Sequence, residues 1–170
     1  MSEIILITGG IKSGKSRRAL DIALQTWRVS PETPVSFIAT AEALDNEMKL
    51  RIKRHQEERL GLGFTTIEEP LELDRAIASA GRRALVDCLA LWVNNIMYYK
   101  REEDFHRLLD SSISAMKDCI LVTNETGLGN VPFDETTRRY NLLLAEANRR
   151  IAAVADRVEF MVSGIPLRVK

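Results

Sequence analysis

The sequence predicts an α/β fold, a doubly wound and mostly parallel sheet flanked by helices in a single domain over residues 1–170. Two observations predict it. Short apolar runs alternate with longer segments of helical period from Ile4 to Val162, the order that builds parallel strand–helix–strand units. The first apolar run also breaks directly into Gly9-x-x-x-x-Gly14-Lys15-Ser16 ahead of a helical pattern. That spacing is a P-loop, so the fold is of P-loop NTPase type: consecutive backbone N–H groups curl around a phosphate while the following helix aims its positive end at the same anion. Gly9, Gly10, Ile11, Lys12, Ser13, Gly14, Lys15 and Ser16 are therefore candidate nucleotide-binding residues. Lys15 is expected to reach the β and γ phosphates and the Ser16 hydroxyl to sit on Mg2+.

The elements follow in order. Arg17–Trp27 carries Ala19, Leu20, Ile22, Ala23, Leu24 and Trp27 on a broad apolar face, as a helix packed on a sheet does. Pro31 and Pro34 end it, and Val35–Thr40 is the second strand, reached by a right-handed crossover. Leu44–Arg59 is a charged helix whose one apolar stripe, Leu44, Met48 and Ile52, continues into His55. Gly61 and Gly63 stop it, and Phe64–Ile67 is a strand ending at Glu68, Glu69 and Pro70. Leu71–Ala80 is a short helix, Ala84–Asp87 a buried strand finishing on a carboxylate, and most of Cys88–Tyr99 a helix. Phe105–Met116 is amphipathic and Cys119–Thr123 is the next strand. The loop 124–132 holds Gly127 and Gly129, Asp134 opens a long helix reaching about Ala155, Val158–Val162 is a last central strand, and Leu167–Val169 adds an edge strand. No repeat, low-complexity segment or long linker divides the chain.

Composition narrows the function. Lys plus Arg and Asp plus Glu both number 24, so no overall field draws the chain to nucleic acid or to an acidic membrane. Cys88 and Cys119 sit in separate apolar runs with no C-x-x-C pairing, which reads as buried thiols in a reducing compartment. With no leader-like start and no apolar run near 18 residues, a soluble, cytoplasmic protein without membrane insertion is expected.

In a doubly wound sheet, ligands bind beyond the carboxyl ends of the strands. The groups presented there are the P-loop, Thr40, Glu68, Asp87 and the turn Thr123-Asn124-Glu125. Asp87 fits the Mg2+-binding carboxylate that P-loop proteins need, or else caps the helix after it. Glu68 and Glu69 read equally as solvated charges, and Asn124 and Glu125 as shapers of the glycine loop. Arg51, Arg54, Arg59, Lys49 and Lys53, with Glu47, Glu57 and Glu58 at salt-bridge spacing, read as the wet face of a helix. His55 reads as a half-buried structural residue or as a catalyst. Two functions fit: a small P-loop kinase that moves a γ-phosphoryl group to a metabolite hydroxyl, or a nucleotide-dependent switch in which hydrolysis resets a partner-binding loop. The switch is disfavoured, since the chain has neither D-x-x-G nor an Asn-Lys pair.

Several stretches together resemble one family. Thr8-Gly-Gly-Ile-Lys-Ser-Gly-Lys-Ser-Arg17, Ile38-Ala-Thr-Ala41, Leu44-Asp-Asn-Glu-Met48 with Arg51-Ile-x-x-His55 and Arg59, Val122-Thr-Asn-Glu-x-Gly-x-Gly-x-Val-Pro132, and Val162-Ser-Gly-Ile-Pro166 are similar to the bifunctional adenosylcobinamide kinase/adenosylcobinamide-phosphate guanylyltransferases of cobalamin biosynthesis. The resemblance implies phosphorylation of the aminopropanol hydroxyl of adenosylcobinamide, then transfer of GMP from GTP onto that phosphate through a guanylylated histidine at the position of His55. It implies a nucleotide site of the P-loop, Ala39, Thr40, Ala41, Gln56, Glu57, Glu58, Arg59, Glu68 and Asp87, with Mg2+ on Ser16 and Asp87. GTP is the implied nucleotide, with ATP as an alternative for the kinase step. Asp87 is one methylene shorter than the Glu that relatives can carry. A homo-oligomer, a trimer with sites near subunit boundaries, is implied too.

Overall fold

A computed structural model describes residues 2–129 and 131–170. In chain order it contains β1 (Ile4–Gly9), α1 (Lys15–Thr26), β2 (Val35–Ala39), α2 (Asn46–Arg59), β3 (Phe64–Glu68), α3 (Leu73–Ser79) and β4 (Arg83–Asp87). These are followed by α4 (Leu89–Tyr98), α5 (Phe105–Ala115), β5 (Asp118–Val122), α6 (Glu135–Val154), β6 (Arg157–Val162) and β7 (Ile165–Arg168). The seven strands form one sheet in the order β3-β2-β4-β5-β1-β6-β7, parallel from β1 to β6. All six parallel strands therefore end on one edge, where the glycine loop leaves β1.

The strands are short apolar runs because both faces of the sheet are covered. Ile5, Leu6, Ile7, Ile38, Val86, Ile120 and Leu121 are at most 1% exposed. Burying a side chain of this size contributes about 2 kcal/mol. Helix α4 is apolar on most of its surface because it lies inside the helical layer, with Trp92 fully buried, its ring 6.1 Å from Phe105 and its Nε1–H donating to Leu71 O (2.8 Å). One charged cluster ties the layers together. The buried Glu159 of β6 accepts from Arg18 Nε and Nη2 of α1 (2.8 and 2.9 Å) and pairs with Arg157.

Two expectations need correction. The edge strand begins at Ile165, not Leu167, and forms an antiparallel hairpin with β6. Ser163 and Gly164 are its two loop residues, with φ of 50° and 84°, the pattern of a turn that matches strand twist. The helix expected from Leu44 begins at Asn46, because the Asp45 carboxylate accepts from Met48 N (2.7 Å) and caps it. Leu44 thus falls outside the helix and is 51% exposed, so the inward stripe consists of Met48, Ile52 and His55 only. No helix among the described residues is long and apolar enough to cross a membrane.

Candidate active site

The glycine loop is fixed by its surroundings. Gly9 has φ of 151°, and a Cβ there would stand 2.6 Å from Met161 O. Gly14, at φ 92°, starts α1 in a left-handed conformation that favours glycine. The β6–β7 hairpin turn leans on the loop, Gly164 N–H donating to Ser13 O (3.1 Å), and Glu125 N–H donates to Gly9 O (3.0 Å) from the far side. Two stretches noted in the sequence, Val162–Pro166 and the start of the loop after β5, thus brace the P-loop. Within it Ser13 Oγ is buried without a hydrogen-bond partner among the described residues, a polar atom of the kind that a bound anion satisfies. Lys15 is buried, folds its Nζ onto Gly10 O (2.6 Å), and has its ammonium pKa lowered by burial, against the opposing charge of Asp87.

Beside the P-loop, an open cleft separates α2 from the carboxyl ends of β2 and β4. Ser16, Ala39, Ala41, Asp87 and Cys88 line its floor, and Met48, Arg51, Ile52, His55, Gln56 and Arg59 line its wall. With its open mouth and the solvent there included, it spans about 510 Å³. The proposed Mg2+ residues Ser16 and Asp87 therefore face one space together with His55. His55 is 30% exposed in its side chain, and its Nδ1 lies 3.2 Å from Glu58 Oε2. That contact favours the tautomer with hydrogen on Nδ1 and the lone pair on Nε2. The Cys88 thiol is pushed up to about 12 by burial and by Asp87, so it stays protonated and is a poor nucleophile at neutral pH.

Arg59 anchors the end of α2. Its Nη1 donates to His55 O (2.7 Å), its Nη2 to Thr66 Oγ1 (3.3 Å), and its guanidinium lies 3.6 Å over the Phe37 ring. Burial lowers its pKa, while Asp87 works in the other direction. Arg59 is thus a buried cleft residue and not part of a wet face; the resemblance, unlike the charge pattern, had set it among the nucleotide-site residues. Arg51 lines the cleft while staying exposed to solvent. Lys49, Lys53 and Arg54 are exposed, as expected.

The remaining candidates divide. Thr40 is fully buried: its Oγ1 donates to Cys88 O (2.7 Å) and accepts from Cys88 N (2.9 Å), so its side chain fastens β2 to the start of α4. Ala39 and Ala41, on either side, do reach the cleft. Glu57 is exposed and sits 3.9 Å from Lys53, away from the cleft lining. Of the two glutamates after β3, Glu69 Oε1 accepts from Leu71 N (2.9 Å) and Glu72 N (2.8 Å) at the entry to α3, which occupies it. Glu68 meets Gln56 Nε2 at 3.4 Å, on the α2 side. Glu125 Oε1 accepts from Gly127 N (2.6 Å), the loop-shaping alternative.

The family model for cobinamide kinase / cobinamide phosphate guanyltransferase matches residues 5–169. The chain belongs to that family. It is 42% identical to the bifunctional adenosylcobalamin biosynthesis protein CobP of Pseudomonas aeruginosa, over 97% of this chain and 96% of that protein. The CobU protein of the same description from Escherichia coli K12 is 31% identical over 98% of this chain and 99% of its own length. The one from Salmonella typhimurium LT2 is 32% identical over the same shares. A solved KaiC-like protein from Pyrococcus horikoshii OT3 overlaps with a TM-score of 0.49 and 15% identity, covering 93% of this chain and 70% of that one. Membership in the kinase/guanyltransferase family accords with an α/β domain whose P-loop and histidine share a cleft. Arg51 is the cleft residue that the sequence reading passed over. Its signal was available in the four-residue spacing to His55, which puts both on one helix face.

Proposed function

We propose that this chain carries out both reactions of its family at the one cleft: phosphoryl transfer to the aminopropanol hydroxyl of adenosylcobinamide, then guanylyl transfer from GTP to the phosphate formed, with His55 as the GMP carrier. The observation that carries this reading is the sharing of a single cleft by Ser16, Asp87 and His55, which a plain kinase has no use for. Phosphate binding falls to the P-loop amides, Ser13 and Lys15, supported by the unpartnered Ser13 Oγ. Ser16 and Asp87 offer one hydroxyl and one carboxylate, a donor set that fits Mg2+ completed by phosphate oxygens and water. Bound there, Mg2+ supplies charge neutralisation on the phosphates.

His55 then attacks the α-phosphorus through Nε2. The new P–N bond forms as the α–β bridging P–O bond breaks, and pyrophosphate leaves with the bonding pair. The proton on Nδ1 stays in place, so the guanylylated ring is cationic and Glu58 stabilises it. In the second half an oxygen of cobinamide phosphate attacks the same phosphorus, and the P–N pair returns to Nε2. Splitting the step lets one polyanion depart before the next arrives. The γ and α phosphorus atoms are separate targets, so α2 and the nucleotide must shift relative to each other between reactions. The loose seating of α2, in which only Arg59 is buried, supports that shift.

GTP labelled separately at the γ and α positions tests the reading. Adenosylcobinamide should take up γ label first, and the phosphorylated product should then take up α label with release of pyrophosphate. Transfer of γ label alone would leave a plain kinase.

A further inference from the structure

The cleft wall presents two cationic side chains, and they are not equivalent. Arg59 is buried at the foot of α2, where its Nη1 and Nη2 hold His55 O and Thr66 Oγ1 while its Nε has no hydrogen-bond partner among the described residues. Arg51 lines the same cleft one helical turn before His55 and is exposed to solvent, and its guanidinium has no hydrogen bond or ion pair among the described residues. A charged fork turned toward a cleft and left without a protein partner is a group held ready for an anion. Its charge already acts on the floor of the cleft, where it helps to lower the Lys15 ammonium pKa and opposes the rise of the Cys88 thiol. Arg51 therefore lies near enough to Lys15 for the two charges to act on each other.

We infer that Arg51 is a catalytic residue of the guanylyl-transfer half-reaction, binding the β and γ phosphates of GTP and the departing pyrophosphate while His55 attacks the α-phosphorus. This rests on the proposed role of His55. Negative charge accumulates on the bridging oxygen as the P–O bond breaks, and a cation preorganised there lowers the barrier. Because Arg51 and His55 ride on one helix at i and i+4, any movement that brings the nucleophile to the α-phosphorus brings the guanidinium to the leaving group. The kinase step, in which the γ-phosphoryl group leaves and no pyrophosphate is formed, depends on Arg51 less.

Pyrophosphate–GTP exchange, measured on the intact protein with Mg2+ and no corrinoid, isolates this half-reaction in both directions. Arg51→Ala should slow exchange on the order of 10²-fold with a raised KM for pyrophosphate, the scale on which one preorganised charge acts. Transfer of γ-phosphoryl to cobinamide should fall less than about tenfold in the same variant. Arg51→Lys, which keeps the charge but loses the fork, should recover part of the exchange. Arg54→Ala, on the exposed face of the same helix, should exchange like the parent. Exchange rate and pyrophosphate KM within about twofold of the parent in Arg51→Ala would overturn the assignment. A parent that turns over cobinamide phosphate without any exchange would instead remove the histidine intermediate, and this role of Arg51 with it.

Discussion

Two helices border the nucleotide cleft, and they are built on opposite terms. Helix α1 buries Lys15, Ala19, Leu20, Ile22 and Ala23 against the sheet, and its Arg18 is locked to Glu159. Helix α2 buries only Arg59 and leaves Leu50 70% exposed. Apolar burial and bonded charge hold the first in one position, whereas the second hangs from its carboxyl end. On the function proposed above, the phosphate-binding side of the site is the firmly packed one, and the side carrying His55 and Arg51 is the one with few buried contacts. A site that must address first the γ and then the α phosphorus of a nucleotide needs that division, since an element with few buried contacts shifts at small free-energy cost.

Breaking the fixed side should have the largest effect. Lys15→Ala deletes the cation on the β and γ phosphates, and both γ transfer and guanylyl transfer should fall by at least about 10³-fold at saturating GTP. Retention of either reaction at near the parent rate would mean that the two sides do not work on one nucleotide site.

On the mobile side, Glu58 sets the tautomer of His55 through the 3.2 Å contact at Nδ1. Glu58→Ala should slow guanylylation of the protein roughly tenfold to a hundredfold, the scale for losing a partner that orients an imidazole, with Glu58→Asp or Glu58→Gln restoring part of it. Phosphorylation of cobinamide should change little. Equal loss of both reactions would place Glu58 on the nucleotide itself rather than behind the histidine.

The smallest effect on chemistry, though not on folding, belongs to the Arg18–Glu159 tie. The hydrogen bond from Arg18, aided by Arg157, holds the Glu159 carboxyl below its ordinary range. A depressed folded-state pKa stabilises the protein above the unfolded value and loses that contribution as pH falls through the folded one. Glu159→Gln should therefore destabilise the fold by about 2–3 kcal/mol at neutral pH, since the arginines left behind are partly exposed. The difference from the parent should shrink as the solution is acidified below the carboxylate range, which denaturant titrations at several pH values would detect.

Much of this was legible in the sequence because periodicity and turn residues report local structure. Every strand and α-helix of the described residues was anticipated, and the P-loop spacing located the glycine loop between β1 and α1. What escaped concerns the surroundings of a residue. Nothing in Thr40 itself says that its hydroxyl would be consumed by Cys88, or that Glu69 would be taken up by the α3 turn while Glu68 stays with Gln56. Arg51 and Arg59 sit in a strongly charged helix, where composition argues for solvent, and only the resemblance set Arg59 apart as a nucleotide-site residue. The open space between α2 and the strand ends makes both of them cleft residues. Ser163 and Gly164 stood out only as part of the stretch Val162–Pro166, and the contact of Gly164 with Ser13 depends on the placing of β6 beside β1.

The division between a fixed phosphate cradle and a movable nucleophile is tested most directly on His55. Incubation with α-labelled GTP and Mg2+ in the absence of corrinoid should leave GMP on the protein in an acid-labile, base-stable linkage that maps to His55. His55→Asn should abolish the label while melting and folding like the parent, and His106→Ala, on α5, should label normally. Full labelling of His55→Asn, or an active parent that never becomes labelled, would contradict the account.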